Sequence, residues 1–84
     1  MTDGFIKDNF TYEIIQHLGT ISTRTDFEGN VWAREVNLVA WNGRDAKLDI
    51  REWNKDHTKM SKGVTFKPEE ADALVAILQE RGDA

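Results

Sequence analysis

VWAREVNLVAWNGRDAKLDIREW, residues 31–53, decides the fold. Trp32, Val36, Leu38 and Ala40 share one parity, while Glu35, Asn37, Val39 and Trp41 share the other. Side chains alternate across a strand, so this pattern predicts a strand with one buried and one open face. Asn42-Gly43 follows at once, and both residues tolerate the positive φ of a tight hairpin turn. A third strand, Ala46 to Trp53, is expected to pair antiparallel with the second. Its Leu48 and Ile50 should point inward, and Lys47, Asp49, Arg51 and Trp53 to the open side.

Outward from this hairpin the elements are simpler. Tyr12 onward, towards Ile21-Ser-Thr, is rich in β-formers and predicts a first strand, with Arg24 to Asn30 as a polar turn. After a charged connection from Asn54 to Ser61, Gly63-Val-Thr-Phe66 predicts a short fourth strand with Val64 and Phe66 inward. Pro68 suits the first turn of a helix, Glu69, Glu70 and Asp72 complement its positive end, and Arg81 precedes a stop at Gly82. Lys67 before the proline is a poor cap. Ala71, Leu74, Val75 and Leu78 form one apolar stripe, and Ile77 and Ala73 lie beside it. That shoulder is wider than one sheet face requires, so a partner helix is expected to cover it. The fold class is therefore α+β, four antiparallel strands followed by one C-terminal helix, β-β-β-β-α. Residues 1–10 are expected to be a loose N-terminus, and residues 11–82 the single domain.

Eighty-four residues without a cysteine allow neither a disulfide framework nor a zinc-thiolate site. A chain this short buries only about 60% of its unfolded surface, and a homodimer is the expected remedy. The start MTDGFIKDNF lacks the pattern of a signal peptide, and no apolar run reaches the roughly 20 residues of a membrane span. A cytoplasmic protein with no membrane contact is expected. The net charge is −4, but it is unevenly spread. Arg34 to Lys62 holds seven Lys/Arg against five Asp/Glu, and the rest of the chain four against ten. A locally positive surface on an acidic particle is thus permitted.

Catalytic signals are thin. His17 and His57 stand without a Ser or Cys triad pattern, and Asp49, Asp56 and His57 match no established metal-ligand spacing. Gly19, Gly29, Gly43 and Gly63 read as scattered turn residues that build no phosphate loop. Neither an enzyme nor a cofactor nor a metal is expected. The aromatic and basic residues say more. Trp32 has core parity, whereas Trp41 and Trp53 share the open parity with Lys47 and Arg51. Exposed rings beside cations hold single-stranded nucleic acid by stacking bases and tracking phosphates. Alternation alone leaves stacking and burial of these two tryptophans equally open.

Leu48-Asp-Ile-Arg-Glu-Trp53, a charged loop ending in Lys59-Met-Ser-Lys-Gly63, then Val-Thr-Phe and a helix near Pro-Glu-Glu resemble a known arrangement. It is the C-terminal domain of the transcriptional coactivator family called positive cofactor four, in particular its small bacterial members. The likeness is close from Trp41 to Leu78 and looser from Tyr12 to Val39. The resemblance implies a curved four-stranded antiparallel sheet with a C-terminal helix, dimerising through helices and sheet ends. It also implies binding of single-stranded or unwound DNA with little sequence preference. On this likeness Trp41 is the aromatic before the hairpin, and Arg51 and Trp53 are the arginine and aromatic of the Asp-Ile-Arg-Glu run. Lys62 is the lysine of Lys-Gly, Arg44 and Lys47 form the basic hairpin tip, and Lys59 belongs to the basic loop. The chain departs from the family in a shorter Trp53–Lys62 connection than in eukaryotic members. It also has few cations in strand one, where Glu13, Gln16 and His17 stand.

The expectation is a homodimeric, sequence-tolerant single-stranded DNA-binding protein, coactivator-like or serving DNA maintenance, with a possible contact to the transcription machinery. Its nucleic-acid-binding residues would be Trp41, Arg44, Lys47, Arg51, Trp53, Lys59 and Lys62. Two other readings stay open: a protein-interaction module using exposed Trp and Arg, and a single-stranded RNA binder. Glu35, Asp49 and Glu52 are the awkward residues for any polyanion surface. Glu52 has inward parity and is expected at a strand end or paired with a cation, and Arg51 has Asp49 or Glu35 as a possible ion-pair partner.

Overall fold

The computed structural model describes residues 11–81. The loose terminus expected over residues 1–10, and the stop expected at Gly82, lie outside the described residues. Four strands and a helix follow in the expected order: β1 Tyr12–Thr25, β2 Val31–Trp41, β3 Lys47–Asn54, β4 Val64–Phe66 and α1 Pro68–Glu80. The sheet order is β1-β2-β3-β4, and every neighbouring pair is antiparallel. The turn between β2 and β3 has both central residues at positive φ, Asn42 at 52° and Gly43 at 74°. The Arg44 N–H donates to the Trp41 carbonyl oxygen at 3.0 Å across it. That is the Asn-Gly hairpin chemistry expected from sequence.

Register assigns each residue to a face. β2 and β3 pair Val39 with Lys47, Asn37 with Asp49, Glu35 with Arg51 and Ala33 with Trp53. Their odd-numbered residues therefore share one face with Trp41, and their even-numbered residues share the other. In β1 the parity slips. Register shifts fall between Ile14 and Gln16, His17 and Gly19, and Thr20 and Ser22. The skipped residues, Ile15, Leu18 and Ile21, are all exposed. Each extra residue rotates the strand and increases its twist. As a result Tyr12, Ile14, His17 and Thr20 stand on the odd face, opposite Trp41, Val39, Asn37 and Glu35.

The two faces are covered in the opposite sense to the one expected. Val36, Leu38, Leu48 and Ile50, expected to point inward, are only half-buried in the single chain. Among the described residues the odd face holds all the buried ones, Glu35, Asn37, Val39, Asp49 and Trp53. The reason lies in what covers each face. The β3–β4 loop folds back over the odd face through the isolated bridge of Trp53 to Met60. The helix reaches only one corner of the even face. There Pro68, Ala71 and Asp72 stand across a shallow cleft of about 250 Å³ from Leu38, Leu48 and Phe66. No helical residue is buried, and Val75, Ile77 and Leu78 stay exposed. Lys67 offers no side-chain cap, as expected, and its own N–H is taken up by the Glu70 carboxylate at 2.9 Å.

Candidate nucleic-acid interface

The odd face carries a row of rings. The Tyr12 ring lies 6.0 Å from that of Trp41 and 5.3 Å from that of Trp53, and Trp53 lies 5.5 Å from the His57 imidazole. All are tilted, the arrangement that aromatic quadrupoles favour over a flat sandwich. Arg51 crowns the row, its guanidinium carbon 4.6 Å from the Trp41 ring centroid.

Arg51 is held there by four contacts. Its Nε and Nη2 donate to the two oxygens of Asp49 at 2.7 and 2.9 Å, a bidentate fork. Its Nη1 donates to the Ser61 carbonyl oxygen at 3.3 Å and approaches the Met60 sulfur at 3.5 Å. Asp49 is fully buried and takes a third hydrogen bond from the Thr65 hydroxyl at 2.7 Å. The ion pair foreseen between Arg51 and Asp49 is thus real and leaves the Arg51 side chain 13% exposed. A Cβ at Gly63 would overlap the Arg51 side chain and the Ile50 carbonyl oxygen. Read in the sequence as a turn residue, Gly63 instead permits β3 and the start of β4 to touch. The lysine-glycine pair was the one signal that pointed to it.

Trp53 corrects the expectation of two open indoles. It lies on the same face as Trp41 and Arg51, but its accessibility is 0%. Tyr12, His57 and the bridge to Met60 close over it, and its Nε1 finds no acceptor among the described residues. Trp41 remains partly open at the hairpin end. Lys47 follows on the same face, half-buried, and Arg44, Lys59 and Lys62 are exposed. Among the described residues no lysine forms an ion pair. The Arg44 N–H donates to the Trp41 carbonyl oxygen in the hairpin, Lys47 stands in register opposite Val39 on the face of Trp41, and Lys62 adjoins Ser61, whose carbonyl binds Arg51. Lys59 stands further round the loop, where its N–H donates to the Asn54 side-chain oxygen at 2.8 Å.

Sequence reasoning missed three members of this face, Tyr12, His17 and His57, and gave Asn37 its face but no role. Tyr12 donates from its hydroxyl to the His57 carbonyl oxygen at 2.6 Å, fastening the loop to β1. His57 sits at φ 60°, a left-handed conformation that costs a side-chain-bearing residue about 1–2 kcal/mol. Its Nε2 is 2.9 and 3.1 Å from the Glu35 oxygens. His17 Nδ1 is 2.7 Å from the Asn37 side-chain oxygen, and Asn37 donates to Glu35 at 3.1 Å. The three bulges hid Tyr12 and His17, because no fixed parity runs through β1.

Glu52 behaves as expected near the end of β3. Arg24 grips both its oxygens at 2.8 and 2.9 Å, and Arg34 stands 3.9 Å away. The Arg24 hydrogen bond holds its carboxyl below the usual range. On this even face Trp32 is half-buried rather than core. Its Nε1 donates to Asp26 at 3.0 Å, which with backbone N–H groups of Asn30 and Glu28 lowers the Asp26 carboxyl. Among the described residues no cluster of His, Cys, Asp and Glu could hold a metal ion, and no helix is long and apolar enough to cross a membrane.

Two comparisons with known proteins bear on this surface. A sequence profile of the family described as Transcriptional Coactivator p15 (PC4) matches residues 29–77. A protein of Treponema pallidum (strain Nichols), described as uncharacterized, is 44% identical over 75 residues, which are 89% of this chain and 84% of its own length.

Proposed function

The chain belongs to the Transcriptional Coactivator p15 (PC4) family, a single-stranded-DNA-binding and non-enzymatic family, and from that membership we propose that it binds single-stranded DNA across the odd face of its sheet. The observation that carries this reading is the Arg51 guanidinium clamped 4.6 Å over the Trp41 ring, with Lys47 on the same face. Bases stack on Trp41 beside Tyr12, and Arg44, Lys47, Lys59 and Lys62 take the phosphates. Arg51 orients Trp41 and offers what remains of its donors to the strand. Trp53, in this arrangement, is the floor beneath Tyr12 and His57 rather than a stacking platform. Binding by rings and phosphate contacts is sequence-tolerant, since every base has a π-face.

The half-open apolar even face and the uncovered helix support a homodimer, which would set two such odd faces side by side. Coactivator-like work on unwound DNA in the cytoplasm, with or without a contact to the transcription machinery, fits this surface, as does DNA maintenance.

Titration of the protein with oligo-dT, matched duplex DNA and matched RNA at two salt concentrations tests the proposal. Single-stranded DNA should quench tryptophan fluorescence, and affinity should fall with salt at a slope of about −0.7 per phosphate neutralised. Trp41→Ala should weaken binding by about 1–3 kcal/mol. Binding indifferent to salt would favour a protein-docking surface, and tighter binding to RNA would name that as the ligand.

A further inference from the structure

Three carboxylates of the sheet are held by partners of two different kinds. Asp49 lies against the Arg51 guanidinium and Glu52 against that of Arg24. Glu35, 7% exposed, pairs among the described residues with imidazoles alone, His57 at 2.9 Å and His17 at 3.5 Å. Arg51 stands directly across from Glu35 in register, yet turns its guanidinium to Asp49 and the Ser61 carbonyl. A guanidinium cancels a carboxylate at every working pH, whereas an imidazole does so only when protonated. With both imidazoles neutral the set carries −1 on the face proposed for DNA. With both protonated it carries +1.

We propose that His17, Glu35 and His57 form a proton-binding unit within the single-stranded-DNA face, so that DNA binding takes up protons there and tightens as pH falls. This rests on the function proposed above. The geometry supplies the proton positions. Glu35 can only accept, so His57 Nε2 carries hydrogen, and a second proton goes to Nδ1, which has no partner among the described residues. Asn37 donates its amide to Glu35, so its oxygen accepts from His17 Nδ1–H, and the second proton of His17 goes to Nε2. That nitrogen is only loosely engaged, 3.4 Å from the Thr20 hydroxyl. The side chains of His17 and His57 are 51% and 38% exposed, so each new N–H can meet a phosphate oxygen.

The other titratable and charged groups around this unit are engaged elsewhere or stand further off, except Lys55, which lines one cleft with Glu35 and Trp53. From β1, the Tyr12 hydroxyl binds the His57 backbone rather than its ring, and Thr20 stands opposite Glu35. From β3, the Trp53 ring lies against His57, Asp49 is tied to Arg51, and Lys47 lies further along the face. On the loop itself Asp56 accepts from the Thr58 hydroxyl, and Lys55 and Lys59 are exposed. A polyanion favours the protonated imidazoles, so binding draws protons in and the affinity rises as pH drops.

The test is oligo-dT binding at fixed ionic strength at about pH 8 and about pH 6, with calorimetry in buffers of different ionisation enthalpy between them. The wild type should bind about tenfold more tightly at the lower pH and show net proton uptake. The double variant His17→Gln, His57→Gln should lose that pH dependence, its two affinities agreeing within about twofold. Glu35→Gln, which removes the negative charge, should bind more tightly than the wild type at about pH 8. Absence of proton uptake by the wild type, or a double variant that keeps the full pH dependence, overturns the inference and leaves DNA binding standing. If the double variant fails to fold, the wild-type uptake decides alone. No binding at either pH in low salt overturns the proposed function, and this inference with it.

Discussion

The odd and even faces of this sheet have opposite chemistry, and their cover runs against it. The even face is the apolar one, with Val36, Leu38, Leu48 and Ile50, and the single chain leaves it half-open. The odd face is crossed by Glu35, Asn37, Asp49 and Arg51, and among the described residues it contains every buried one. Polar groups can be buried when each is matched by hydrogen bonds or opposite charge. Here Asp49 accepts three and Glu35 is gripped from three sides, so a folded-back loop can close over them. An apolar face needs only area, and one helix touching one corner does not provide it. The difference teaches that alternation assigns residues to faces, while long-range cover decides which face is closed.

Truncating the floor of the odd face is the severest way to break this contrast. Trp53→Ala should cost about 3–5 kcal/mol of stability in urea unfolding, as a large core truncation does. A fully stable variant with weakened DNA binding would instead make Trp53 a surface platform and restore the sequence-based expectation. Gly63→Ala should cost about 1–3 kcal/mol by pushing Arg51 off Trp41, read as lost stability together with a changed tryptophan spectrum. Unaltered stability and spectrum would mean that the clamp has slack.

On the even side, Ile77→Asp probes what covers the helix. It should convert a dimer to a monomer in sedimentation, with dissociation growing as protein is diluted. In a chain that works alone, an exposed substitution of this kind shifts stability by only about 0.5 kcal/mol and changes no mass. The smallest expected effect concerns acid. Glu52 and Asp26 are held below their ordinary range by Arg24 and by the Trp32 indole N–H. Their stabilisation is present above the unfolded carboxyl range and is lost as pH falls through the lowered folded values. The indole N–H resonance of Trp32 should therefore move on acidification below about pH 4, while that of Trp53 stays put. Movement of both together would show the two faces opening as one unit.

Much of this molecule follows from neighbours along the chain. Asn42-Gly43 forces the β2–β3 turn, because few other pairs accept two positive φ angles, and strict alternation on either side places Trp41, Lys47, Arg51 and Trp53 on one face. Pro68 and the acids after it start the helix where they stand. Contacts between distant segments did the rest. The bulges at Ile15, Leu18 and Ile21 bring Tyr12 and His17 to the odd face, and the loop carrying His57 closes over Trp53 by fastening to Tyr12 and Glu35. Periodicity states which way a side chain points but not what lies above it, since that depends on how the remainder of the chain packs. Hence the face shared by Trp41, Lys47, Arg51 and Trp53 was legible in the residues, and which of its rings stay open was not.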